Sequence, residues 1–320
     1  MKLRGFRFTL VLIVVLAVFC TGCKVKIGEG DVAWNSFVAE SRHDMDMGGY
    51  TLHYIDMGEG EPLVLIHGFA DSTYCFNKNL TPLLDAGYRV ILVDQPGMGR
   101  SGYPPAPYIY SIENQAENIL NLVDKLGIEK FALGGSSMGG GITLYLTLQH
   151  PERIRCGILL DPAPYNMDNT FLVRAANAPG VKGISDTFGG RWAVAFALRD
   201  VYYDNDMVDD VLVDEYSRSM TKAGYLPALM ALAKEYWSED FYAMEKRYSE
   251  IQTPMLIIWG DHDKWVPTEF GPRLDKDVPN SVYLSIKNSG HLPHQEQSKI
   301  VNPILVGFLK EHLQSKDESK

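Results

Sequence analysis

Apolar residues fall along the chain in short unbroken runs, separated by segments with helical spacing. The runs at residues 62–66, 131–133, 156–160 and 255–259 carry almost no polar side chain. Strands covered on both faces look like this, because neither face meets water. Residues 50–56, 88–93 and 281–286 add further strands. Between them Ile112, Ala116, Ile119, Leu120 and Val123 recur at helical spacing behind Ser111, a good capping residue. That segment should lay one apolar face on a sheet. Residues 142–148 are apolar enough for a buried helix, and residues 300–313 close the chain as an amphipathic one.

Strand and helix alternate over residues 50–161 and again over 252–320. This predicts the α/β class, with a mostly parallel central sheet and helices on both faces. The stretch between, residues 162–251, is helical in composition and rich in aromatic rings. Its place between two strands predicts a helical cap over the loop side of the sheet. Most of its rings should pack the cap itself, with Trp192 and Phe196 as candidates for touching a substrate.

The first residues have another character. Lys2, Arg4 and Arg7 precede thirteen uncharged residues, 8–20, followed by Thr21, Gly22 and Cys23. Thirteen is short of the roughly twenty that cross a bilayer, so residues 1–22 read as an export signal. Its end resembles a bacterial lipobox, although Cys20 stands where leucine is usual. The resemblance implies cleavage before Cys23 and lipidation of that cysteine. The protein would then be exported and held on a bacterial membrane, the outer one if the organism is Gram-negative, since Lys24 rather than aspartate follows. Residues 23–49 are expected as a lipid-anchored spacer with a short helix near 31–41.

At 46% hydrophobic and 22% charged, the 320 residues have ordinary globular composition. The formal charge is −10, and loss of residues 1–22 would leave 27 basic against 40 acidic residues. That balance excludes nucleic acid and an anionic surface as electrostatic partners, so a membrane would be held through lipid alone. Cys75 and Cys156 remain in the folded body. Export would permit a disulfide between them, but two buried thiols are expected.

The chemistry centres on residues 131–141, Phe-Ala-Leu-Gly-Gly-Ser-Ser-Met-Gly-Gly-Gly. Gly135-Ser136-Ser137-Met138-Gly139 matches G-x-S-x-G between a strand and a helix. A strained turn there projects the Ser137 hydroxyl, and glycines two residues either side let strand and helix approach. The helix then aims its N-terminal amides at the reaction centre, Met138 among them. Three more strand ends carry polar residues. After 62–66 come His67-Gly68-Phe69-Ala70, where the Phe69 amide can join Met138 in an oxyanion hole and His67 should serve as a structural hydrogen bonder. After 255–259 come Gly260-Asp261-His262-Asp263, two competing acids. After 281–286 comes His291, placed to act as general base, with His294 as a rival expected to cap a helix or lie on the surface.

Ser137, an aspartate and His291 stand in the Ser, Asp, His order, and with these motifs the chain resembles the α/β-hydrolase superfamily over about residues 50–313. Asp94-Gln95-Pro96-Gly97-Met98-Gly99-Arg100-Ser101 is similar to that family's D-x-x-G-x-G-x-S loop, and Gly290-His291-Leu292-Pro293 to its G-H-x-P ending. The resemblance implies Asp263, the second acid of G-D-x-D, as the triad member, leaving Asp261 as a turn-former. A serine nucleophile speaks against haloalkane and epoxide chemistry, which needs a carboxylate. Residues 199–216 look like the cap of the meta-cleavage product C–C hydrolases. Those usually carry asparagine before the nucleophile and tryptophan after the histidine, where this chain has Ser136 and Leu292.

The sequence therefore predicts a serine hydrolase acting on carboxylic esters of apolar or aromatic small molecules through an acyl-enzyme. C–C hydrolysis and amide or peptide hydrolysis use the same triad. A surface lipoprotein that only binds would need no base and orienting acid. A metal site built from Asp261, His262, Asp263, His291 and His294 would leave the Gly-Ser-Gly turn without a purpose, so neither metal nor organic cofactor is expected.

Overall fold

The apolar runs pair with one another. In the computed structural model, which describes residues 28–166 and 191–313 apart from the side chains of residues 192, 193, 220 and 221, eight strands form one sheet. They are β1 (Arg42–Asp46), β2 (Thr51–Met57), β3 (Pro62–Ile66), β4 (Arg89–Val93), β5 (Phe131–Ser136), β6 (Ile154–Leu160), β7 (Met255–Gly260) and β8 (Ser281–Ile286), in the order β1-β2-β4-β3-β5-β6-β7-β8. From β4 to β8 all neighbours run parallel, while β1 and β2 form an antiparallel edge. The fold is thus the mostly parallel α/β architecture, with β5 and β7 buried along their whole length.

Alternation along the strands sends side chains to two cores. Val64, Ile66, Ile91 and Val93 enter one, and Leu63, Leu65, Val90 and Leu92 enter the other. Eleven described helices flank or cap the sheet: α1 (Val32–Phe37), α2 (Leu80–Asp85), α3 (Ile112–Lys125), α4 (Met138–Gln149), α5 (Arg191–Val201), α6 (Asp210–Ser217), α7 (Tyr225–Glu235), α8 (Glu239–Met244), α9 (Phe270–Asp277), α10 (Pro293–Glu296) and α11 (Ser298–Leu313). Ile112, Ile119 and Val123 of α3 join the first core, behind a Ser111 side chain that caps the helix. Leu80 of α2 and Val301, Leu305 and Leu309 of α11 join the second. No described helix is long and apolar enough to cross a membrane. The export signal and Cys23 lie outside the described residues.

One segment differs from expectation. Residues 23–49 are not a spacer over their second part. Asp31 caps α1 by accepting from the Trp34 amide (2.9 Å), Trp34 and Val38 enter the second core, and β1 pairs with β2. This segment also grips the cap, where Glu215 of α6 accepts from the Asp31 amide (3.2 Å) and Asn35 Nδ2 (3.0 Å). At the end of the 162–251 insertion, Phe241, Met244, Tyr248 and Ile251 share the core that α3 and α4 line, as do Tyr225, Leu229 and Leu232 of α7. Cys75 and Cys156 are both buried and free.

Candidate active site

The polar residues that follow β3, β5, β6, β7 and β8 meet at the carboxyl edge of the sheet, where parallel strands leave a crevice. Ser137 joins β5 to α4 with φ 52°, a left-handed value that few L-residues adopt. A Cβ on Gly135 would lie 2.1 Å from the Gly139 carbonyl, and one on Gly139 would lie 2.2 Å from the Ile66 oxygen. Only glycines let the helix start so close to the strands. The Ser137 amide donates to Leu160 O (2.9 Å) and its carbonyl accepts from the Ala163 amide (2.9 Å), which fixes the turn. Its hydroxyl caps nothing in α4.

The loop after β3 lies against this turn, since a Cβ on Gly68 would be 3.2 Å from Ser137 Cβ. Among the described residues, neither the Phe69 nor the Met138 amide has a backbone acceptor. Met138 opens α4, so its amide faces out of the helix end. His67 is buried, with Nδ1–H donating to Gly68 O (2.7 Å) and Nε2 accepting from the Gln95 amide (2.9 Å). Burial pushes its imidazole down in pKa, so it stays neutral and rivets this loop to the one after β4. In that second loop Asp94 accepts from the amides of Thr73 (2.7 Å) and Arg100 (2.8 Å), an architectural arrangement.

Asp263 and His291 are paired. Asp263 Oδ2 takes the hydrogen of His291 Nδ1 at 2.7 Å, and Oδ1 accepts from the amides of Trp265 (2.7 Å) and Val266 (3.1 Å). The two side chains are 0% and 5% exposed, so solvent hardly screens them. Trp265 stacks near the imidazole. The bond at Nδ1 leaves Nε2 as the basic nitrogen. Among the described residues no hydrogen bond joins it to the Ser137 hydroxyl. Asp261 turns elsewhere, to His262 Nδ1 (2.6 Å) and the Ser289 amide (3.3 Å).

His294 is neither a cap nor on the surface. It is 0% exposed in α10, beside Phe76, and among the described residues neither nitrogen has a hydrogen bond of good geometry. Burial, with His291 nearby, pushes its pKa down to about 3. The unfolded chain accepts a proton near pH 6.5 and the folded one refuses it. Stability is therefore lost as pH falls from about 6.5 towards 3, by roughly 2 kcal/mol at pH 5. His294→Phe should flatten this fall. Unfolding midpoints of both proteins at pH 7 and pH 5 check it, and equal drops would place the acid sensitivity elsewhere.

Two carboxyls escaped the sequence reading. Asp161 follows β6, fully buried, and Asp71 lies two residues beyond Phe69. Asp71 Oδ1 accepts from the Ser72 amide (2.7 Å), and the Tyr216 hydroxyl of the cap donates to Oδ2 (3.5 Å). Burial raises its pKa to about 8, so it holds a proton far more readily than an ordinary carboxyl. An acid placed directly after a strand was the available signal for Asp161. Nothing in the sequence marked Asp71. Of the two cap rings, Phe196 is 39% exposed on α5 and so is a surface residue, and the Trp192 side chain lies outside the described set.

Donor atoms of Asp161, Asp263 and His291 lie within 4.8 Å of one another, a spacing that a small cation would accept. Both Asp263 oxygens and His291 Nδ1 are already hydrogen-bonded, however, and the pattern needs only a proton to be complete.

Comparison with known proteins gives the same fold. A family model described as alpha/beta hydrolase fold matches residues 61–297. A 2-hydroxy-6-oxononadienedioate/2-hydroxy-6-oxononatrienedioate hydrolase of Pseudomonas putida is 30% identical over 81% of this chain and 91% of its own length. A putative non-heme chloroperoxidase of Synechocystis is 32% identical over 81% of this chain and 95% of its own. The solved structure of a meta-cleavage product hydrolase from Pseudomonas fluorescens superposes with a TM-score of 0.72 at 24% identity, covering 85% of this chain and 99% of that one.

Proposed function

The chain belongs to the alpha/beta hydrolase family, and on that premise we propose that it hydrolyses a carbon–carbon bond beside a ketone, in a substrate like the 2-hydroxy-6-oxononadienedioate in the name of its Pseudomonas putida relative. That it is a hydrolase follows from the family and its relatives. The observation that carries the mechanism is a buried Asp263–His291 pair and a strained Ser137 turn at the same carboxyl edge of the sheet.

In this mechanism His291 Nε2 takes the Ser137 proton while Asp263 holds Nδ1–H and stabilises the imidazolium. Ser137 Oγ attacks the ketone carbon, and the Phe69 and Met138 amides donate to the oxyanion. The carbon–carbon bond then breaks, leaving its electron pair in a conjugated enolate that takes the proton back from His291. Water, activated by His291, opens the acyl-enzyme and releases the acid. The leaving carbon must be conjugated, which selects vinylogous diketones.

Ester hydrolysis is the second reading, because an alkoxide accepts the same proton from the same imidazole. Ser136 and Leu292 favour it, standing where C–C hydrolases usually carry asparagine and tryptophan. Both are buried next to the catalytic residues, and Leu292 offers no polar group there.

Purified protein should be assayed for kcat/KM on a 2-hydroxy-6-oxo-dienoate, followed by loss of its chromophore, and on aryl esters of acetate, butyrate and benzoate. The C–C reading expects the dienoate to be preferred by at least about tenfold, a difference of about 1.4 kcal/mol in transition-state binding. Turnover of esters alone would overturn it in favour of the second reading.

A further inference from the structure

We propose that Asp161 is a positioning residue of the triad, a carboxylic acid that gives its hydrogen to the Asp263 carboxylate and stands in as the partner of His291 when Asp263 is lost. This rests on the triad described above.

The backbone commits Asp161 to this place. It is the first residue beyond β6, between the strand ends that carry Ser137 and Asp263. Its φ of 41° is in the left-handed region, an unusual conformation for aspartate outside a turn tip. Its amide donates to Ile258 O (2.9 Å) and its Oδ1 accepts from the Gly260 amide (2.9 Å), so both ends are tied to β7. Oδ2 is buried and accepts no hydrogen bond. What it does have is the Asp263 carboxyl and the His291 ring, with polar atoms of all three residues within 4.8 Å of one another.

Two buried carboxyls in contact cannot both be ionised, and one proton is shared between them. The competition for charge is uneven. Asp263 has two amides and an imidazole N–H to stabilise an anion, whereas Asp161 has one amide. Burial and the neighbouring Asp263 charge hold the Asp161 carboxyl well above the usual carboxylate range. The other ionisable groups facing it are Glu296 of α10, which also opposes a charge there, Tyr283 of β8 and His291 itself. No described cation is among those that act on it. Asp161 therefore carries the proton, and its O–H can point only at Asp263. The consequence is a carboxylate gripped by its neighbour on one oxygen pair and by His291 on another bond, fixed in the rotamer that catalysis needs.

Removing the Asp263 carboxyl should release the second acid. With no adjacent anion Asp161 ionises more readily, and a small side-chain rotation closes the gap of at most 4.8 Å to the imidazole. The test compares wild type with Asp161→Asn, Asp263→Ala and the double variant. Alanine is used at 263 because an asparagine, its oxygen held by two amides, would turn its NH2 towards Nδ1 and impose the wrong tautomer. The first readout is the rate of fluorophosphonate labelling of Ser137 between pH 6 and pH 10. Asp161→Asn keeps an acceptor for Gly260 and a weaker donor for Asp263, and should cost about 2- to 10-fold, the worth of one neutral hydrogen bond. Asp263→Ala should lose about 100-fold at pH 7 and recover as pH rises, while the double variant loses about 10,000-fold with no recovery. Equal rates and equal pH profiles for Asp263→Ala and the double variant would overturn the proposal.

The second readout needs no catalysis. The infrared difference spectrum of wild type minus Asp161→Asn at neutral pH should contain the carbonyl band of a buried protonated carboxyl. Asp71, common to both proteins, cancels. Absence of that band overturns the proposal even if Ser137 reacts normally, and its presence with an inert Ser137 would fault the hydrolytic reading instead.

Discussion

Ser137→Ala should abolish turnover of the preferred substrate, lowering kcat by about 10⁴- to 10⁶-fold, while the folded state is kept. The size of the loss comes from what the turn does. It holds one hydroxyl at φ 52°, spends it on no cap, and sets it against a loop whose Phe69 amide is unengaged. Alanine keeps the Cβ, the backbone strain and the two amide bonds that anchor the turn, to Leu160 and from Ala163. Only the nucleophile goes. Stability should therefore change by less than about 0.5 kcal/mol, the usual range for a substitution that breaks no cap, network or packing. The residual rate then reports the oxyanion hole and substrate binding without covalent chemistry. Turnover above about one hundredth of wild type would mean that water attacks the carbonyl directly, with His291 as its base. Stopped-flow measurement of a single turnover, with intact mass after fluorophosphonate treatment, separates the two: an activated Ser137 gives one adduct in wild type and none in the variant.

Much of this site could be read from the chain because burial on both faces leaves its own mark. β3 and β7 are apolar throughout, β5 up to Ser136 and β6 from Cys156 on, and the residues just past their ends had to be polar loops at one edge of a parallel sheet. Ser137 and the two acids after β7 stood out that way, the family resemblance chose Asp263 over Asp261, and the structure brings Asp263 into contact with His291. What escaped notice has no periodic signature. β1 reads Arg-His-Asp-Met-Asp, an edge strand held by backbone pairing to β2, and no side-chain pattern announces it. His294 looked polar and therefore exposed, but its ring packs on Phe76 under α10, where burial keeps it neutral. Asp161 stood in plain view as the end of a strand. Its role depends on a partner about a hundred residues away, which only the strand order β6-β7 brings beside it. Phe241 and Tyr248 are aromatic whether they cover a substrate or fill a core, and only their burial in the core lined by α3 and α4 tells which.

Gly135→Ala should cost more stability than any single side-chain truncation in the site, about 3 kcal/mol or more, and should take catalysis with it. A Cβ at 135 meets the carbonyl carbon and oxygen of Gly139 at 2.1 Å and the Gly140 nitrogen at 2.6 Å. These are backbone atoms of the first turn of α4, so no rotamer change relieves the clash. Relief requires lifting α4 from β5, which drags Ser137 and the Met138 amide with it and opens the core around Ile142 and Leu144. For a domain with about 5–15 kcal/mol of total stability, that is a large fraction. Gly307→Ala is the matched control. It lies on the exposed side of α11, with nothing within 4 Å of its added Cβ, and there alanine should stabilise by about 0.5–1 kcal/mol through a lower helix entropy cost. One chemical change thus has opposite signs at two glycines, and denaturant midpoints read both. If Gly135→Ala keeps its midpoint and its Ser137 labelling rate, the close approach of strand and helix is not what holds the nucleophile. If it loses both while Gly307→Ala gains stability, the two glycines of the turn are required because backbone occupies the space where any side chain would begin.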